Sequence, residues 1–160
     1  PTNTSQDLFH VVDLDLLVQA SIQQLECGIP IWFTCDVSYD FCFKMGVAEK
    51  DLYNTAAILG LPRESSKCDR MKSMTTAPVH AMLLTAVKVA DGVPLQWRIQ
   101  NSWGKHTEHN DGFVTASHDW FCENVFQVAV DQCFVPSGTL NVSAKPHLLP
   151  PWDIFATVAG

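Results

Sequence analysis

At 160 residues the chain is long enough to bury a core and short enough to be one folded unit, or half of a larger one. Its 17 acidic against 10 basic side chains give a formal charge of -7, and the scattered Lys and Arg form no stripe, which argues against a nucleic-acid partner. No run of about 18 apolar residues offers a membrane span. The opening "PTNTSQDLFH" lacks the charged and apolar blocks of a signal peptide, so a soluble, cytoplasmic chain with no membrane partner is expected.

In chain order, "DLDLLVQASIQQLECG" places most of Leu14, Leu17, Ile22 and Leu25 on one helical face, with Asp13 able to cap the start and Gly28 the end. "IPIWFTCDV", residues 29 to 37, is an apolar, β-branched and aromatic run of strand length. The next stretch, through the polar loop ending at Pro78, has no clean period and no element is expected there. β signals then dominate. "VHAMLLTAVKVA" reads as a long strand, "DGVP" as a hairpin turn and "LQWRIQN" as the returning strand, with Trp97 and Ile99 alternating against Gln96 and Arg98. "GFVTA" is a third strand, Ser117 caps a short helix "HDWFCEN", and "VFQVAVD" closes the sheet. The tail from residue 136 to 160, rich in Pro and Gly, is expected to run extended over the surface.

Six cysteines with no CxxC spacing, in a chain too large to need staples, are expected to be free thiols. Sequons at Asn3 and Asn141 matter only in a secreted protein and are discounted. Trp32, Trp97, Trp120 and Trp152 are expected as core or interface anchors.

The hairpin sets His80 at the start of one strand and Asn101 at the end of its neighbour, at the same end of the sheet. An Asn oxygen accepting from one ring N–H fixes the histidine's tautomer and leaves the other nitrogen free to act on a nucleophile. Most histidines near a strand start only satisfy a local hydrogen bond. Here Trp103, two residues beyond the asparagine, is surplus to any turn and is placed to shield such a pair. "KHTEHNDG" gathers His106, His109 and Asp111 with His118 nearby, but HxxH in a loop is a weak metal signal; no metal and no cofactor are expected.

His80 followed by Ala81, then about twenty residues to Asn-Ser-Trp-Gly and a Gly-aromatic strand, resembles the papain-like cysteine peptidases. "IPIWFTCDV", "HAMLLTAV", "WRIQNSWG", "GFVTASHDWFCENVFQVAVD" and "LPPWD" narrow the resemblance to the carboxy-terminal third of the bleomycin hydrolase family of cysteine aminopeptidases, from about Leu14 to Asp153. The resemblance implies an α+β papain-like fold, of which residues 1–160 would form the antiparallel β half-barrel carrying His and Asn, with an N-terminal helix and an extended C-terminal arm over residues 136–160. It also implies hydrolysis of N-terminal peptide or amide bonds by a Cys-His-Asn triad in a homo-hexamer, with His80 as general base and acid and Asn101 orienting it. The carboxylate of Gly160 would then hold the substrate's α-amine.

The family's nucleophile lies far upstream of its histidine, in a Gly-Ser-Cys-Trp-like motif at a helix start. No such motif occurs here: Cys35 in "FTCDV" is mid-strand and Cys42 in "YDFCFKMG" lacks the glycines and tryptophan. The chain is therefore expected to be a C-terminal fragment that is inactive alone and needs the N-terminal part of the same protein. The alternative is a nucleophile-free module that docks into an oligomer of full-length subunits. The arm departs from the family's Pro-Met-Gly-Ala-Leu-Ala, reading Ile154 to Ala159 instead.

Overall fold

The computed structural model describes residues 9–60, 65–104, 111–140 and 145–155. Helix α1 (Leu14–Glu26) starts after Asp13, whose side chain makes no cap hydrogen bond. It ends in a left-handed turn at Gly28, φ 75°, where the N–H of Gly28 donates to the carbonyl of Leu25 and that of Ile29 to Gln24. Its deepest residues are Val18, Ala20, Ser21 and Gln24, while Leu17, Ile22 and Leu25 flank the core and Leu14 is exposed. Three of the four expected residues thus pack against the core, while the most buried positions of α1 are ones the leucine spacing did not single out.

Strand β1 (Ile31–Cys35) follows, then β2 (Phe41–Cys42), β3 (Val47–Ala48), α2 (Thr55–Leu59) and α3 (Lys67–Lys72). These last four occupy the stretch for which the sequence predicts nothing. Asn54 caps α2 by accepting from Ala57, and Ser66 caps α3 by accepting from Asp69. α3 is pinned to the carboxyl end of α4 (His118–Asn124) by two side chains. Lys67 Nζ donates to the carbonyls of Cys122 and Val125, and Arg70 donates to the carbonyl and carboxylate of Glu123. Burial pulls the Lys67 ammonium down to about 8, against the opposing charge of Glu123.

The long hairpin forms as predicted: β4 (His80–Ala90) and β5 (Val93–Gln100) pair antiparallel from Leu83↔Gln100 to Ala90↔Val93. The two-residue turn Asp91-Gly92 has φ of 51° and 77°, the left-handed pair that matches strand twist. β6 (Phe113–Ser117) pairs with β5, α4 is capped by Ser117 accepting from the N–H of Trp120, and β7 (Val125–Ala129) pairs with β1. The sheet order is β2-β3-β6-β5-β4-β1-β7. All pairings are antiparallel except the parallel bridge of β3 to β6 at Val47↔Thr115 and Ala48↔Ala116. The architecture is α+β, a sheet curled into a half-barrel with few helices. Between β7 and the tail the chain makes a short 3-10 turn, Gln132–Phe134, for which no element was expected. No helix among the described residues is long and apolar enough to cross a membrane.

One core face collects alternate residues: Ile31, Phe33 and Cys35 from β1, Met82 and Leu84 from β4, Trp97 and Ile99 from β5, and Val114 and Ala116 from β6. Trp120 and Phe121 of α4 close it. Trp97 and Trp120 are core residues as expected, whereas Trp32 and Trp152 are 58% and 74% exposed and anchor nothing in the core.

Trp97 stacks on Phe121 with centroids 4.2 Å apart, and its indole N–H donates to His118 Nδ1 at 3.2 Å. Burial lowers the His118 pKa, against the opposing charge of Asp119. The folded state therefore binds the His118 proton less readily than the unfolded chain, so stability is complete above about 6.5 and declines as pH falls toward the depressed value. Protonation would also remove the acceptor of a buried indole. We expect the melting temperature to drop as the pH falls below about 6.5, and His118→Gln, which keeps an acceptor, to flatten that drop. Equal acid sensitivity of the two proteins in thermal melts would contradict this account.

Candidate active site

His80 shares its strand parity with Met82 and Leu84, and Asn101 shares its own with Trp97 and Ile99, so both side chains belong to the core face of the sheet. The ladder reaches Leu83↔Gln100, and beyond it the two strand ends bring His80 and Asn101 together. His80 Nε2 lies 3.0 Å from Asn101 Oδ1. The N–H of Trp103 donates to the same oxygen at 3.2 Å. A backbone N–H only donates, so the amide atom facing it is the oxygen, and His80 Nε2 must carry the proton. The lone pair of Nδ1, the other ring nitrogen, is then free for proton transfer.

Asn101 is held on both sides. Its N–H donates to the carbonyl of Gly112 at 2.9 Å, and its carbonyl lies 3.5 Å from the N–H of Gly104, a glycine at φ 76°. The asparagine is buried at 4% exposure, and its Nδ2 finds no partner among the described residues. The Trp103 ring lies 4.3 Å from the imidazole, centroid to centroid, tilted by 36°, and Phe43 meets it edge-on at 5.3 Å. The shield expected of Trp103 is thus in contact with His80, with Phe43 behind it. The sequence pointed to His80, Asn101 and Trp103. It had no signal for Phe43, which sits in a stretch without period.

Cys35 is the register partner of His80 across β1 and β4, but it is completely buried, and desolvation, aided by the charge of Asp36, pushes its thiol far above the usual range. Such a thiol is inert. Cys42 is the more acidic thiol, lowered by a hydrogen bond with the Tyr53 side chain and then by the backbone around Met45 and Lys44. The imidazole's hydrogen bond goes to Asn101 and to no cysteine of the described residues. All six cysteines are free.

His106 and His109 lie outside the described residues, as does Gly160. His118 is engaged with Trp97, and among the described residues no group of three or more His, Cys, Asp or Glu is placed to hold a metal.

A family model described as "Peptidase C1-like family" matches residues 2–156. The chain belongs to the Peptidase C1-like family. Among curated relatives of this Peptidase C1-like chain, bleomycin hydrolase of Gallus gallus is 32% identical over 157 residues, covering 95% of this chain and 34% of that protein. Aminopeptidase W of Lactobacillus delbrueckii subsp. lactis is 35% identical over 148 residues, covering 92% and 34%. The crystal structure of PepW from Lactobacillus rhamnosis HN001 matches with a TM-score of 0.83 at 30% identity, over 89% of this chain and 33% of that one. The Peptidase C1-like chain thus spans about a third of the length of the curated relatives it matches.

Proposed function

We propose that this chain supplies the histidine and asparagine of a cysteine aminopeptidase site whose nucleophile lies outside these 160 residues. The observation that carries the reading is the His80 Nε2–H to Asn101 Oδ1 hydrogen bond under Trp103, in a member of a peptidase family whose imidazole here has the buried, inert Cys35 as its register partner and hydrogen-bonds to no cysteine among the described residues. Relatives about three times as long have room for the missing part. On this reading residues 1–160 are the His/Asn-bearing part of the peptidase domain, with residues 136–160 as its arm.

His80 Nδ1 takes the proton of the incoming thiol, leaving a thiolate and an imidazolium held by Asn101. The thiolate attacks the peptide or amide carbonyl, and the imidazolium returns the proton to the leaving amine as the C–N bond breaks. A water molecule, deprotonated by the same nitrogen, then hydrolyses the thioester. Trp103 keeps bulk water from competing for the Asn101 oxygen. On this reading the arm over residues 136–160 limits cleavage to the N-terminal residue of the substrate.

A full-length polypeptide that includes this chain should hydrolyse an aminoacyl reporter and stop on thiol alkylation, while the 160-residue chain alone should not turn it over. Thiol-dependent turnover by the isolated chain, persisting after His80→Ala, would sink the reading. Loss of all turnover in the longer polypeptide would favour the docking-module alternative.

A further inference from the structure

Asp36, one residue past β1, is 2% exposed, and as a carboxylate it needs donors at that depth. It has three. Oδ2 accepts from the Thr76 hydroxyl at 2.6 Å and from the N–H of Ala77 at 3.4 Å, and Oδ1 accepts from the N–H of Ser38 at 2.8 Å. Thr76 is itself 2% exposed. Asp36 is in turn fixed by its own N–H, which donates to the carbonyl of Asn124 at 3.0 Å, at the end of α4.

The segment so gripped leads straight into the candidate site. Thr76 and Ala77 hang on the Asp36 carboxylate, Pro78 is buried with its φ restricted by the ring, and the N–H of Val79 donates to the carbonyl of Cys35 at 3.1 Å. The next residue is His80, register partner of Cys35. Residues 35 and 36 therefore hold the approach to the histidine at Thr76, Ala77 and Val79, leaving the imidazole only its side-chain torsions with which to reach Asn101. A donor-rich loop could have been closed by neutral acceptors. A carboxylate takes three donors at once and holds them with charge-assisted bonds.

We infer that Asp36 is a positioning residue for His80, setting the backbone from which Nε2 meets Asn101 Oδ1. This rests on the proposed reading of His80. Asp36 would touch neither substrate nor thiol.

The test is imidazole nitrogen NMR of the 160-residue chain, recorded beside its thermal melt. In the unmodified chain His80 should show the single tautomer with Nε2 protonated. Asp36→Asn should replace that signature by averaging between the two tautomers, with the indole signals of Trp97 and Trp120 unmoved. Thr76→Val removes one hydroxyl donor at nearly constant volume and should produce the same loss; Thr76→Ser should restore the single tautomer. A lower melting temperature with the tautomer retained in these variants would reduce Asp36 to a structural staple and overturn the inference. Mixed tautomers in the unmodified chain would instead overturn the reading of the His80–Asn101 pair itself.

Discussion

Replacing His80 by alanine in a full-length polypeptide that includes this chain should lower kcat/KM for an aminoacyl reporter by about 100- to 10,000-fold, the usual worth of a positioned general acid and base. Asn101→Ala should cost less. The imidazole would keep its proton-transfer chemistry and lose one orienting hydrogen bond, worth about 1 kcal/mol, so the expected loss is roughly fivefold. One further mark separates the roles. The double variant should be no slower than His80→Ala alone, because Asn101 acts only through the ring. Multiplicative losses in the double variant would show that Asn101 acts independently of His80, and unchanged kinetics in His80→Ala would remove the candidate site altogether.

The largest expected effect on stability is at Trp97. Its side chain is fully buried, stacks on Phe121 and donates its indole N–H to His118. Truncation to alanine opens a cavity and leaves His118 Nδ1 without its donor, and large aromatic truncations in cores cost about 3–5 kcal/mol. That is a large part of the stability of an ordinary domain, about 5–15 kcal/mol. Trp152→Ala, at a side chain 74% exposed, should change the isolated chain by less than about 0.5 kcal/mol. Urea midpoints for the two variants measure the contrast. Similar losses at both positions would show that Trp152 is packed in solution in a way the fold does not explain.

The hairpin was legible because its signals are local. Strict alternation through Trp97 and Ile99 has the period of a strand, and Asp-Gly is a turn that few other pairs make well, so the pairing of β4 with β5 followed, and with it the meeting of His80 and Asn101. Ser117 as a helix cap and Gly28 as a helix end were legible for the same reason. β2 and β3 were not. Each is two residues long, and β3, besides its pairing with β2, joins the sheet by a parallel bridge onto β6, nearly seventy residues away. No local period records such a partner. Helices of five and six residues, α2 and α3, are likewise too short to show a periodic face.

By itself, then, the sequence determined the family, the α+β class, the central hairpin and the three residues of the candidate site, since each is written in local spacing or in a contiguous motif. Only the tertiary structure decided which tryptophans are core and which are surface, which positions of α1 are most buried, that Phe43 backs Trp103, and that a buried Asp36 grips the approach to His80. These depend on what lies across from a side chain when the sheet curls and α4 closes over it. Burial is a property of the neighbours, and the neighbours here are far apart along the chain.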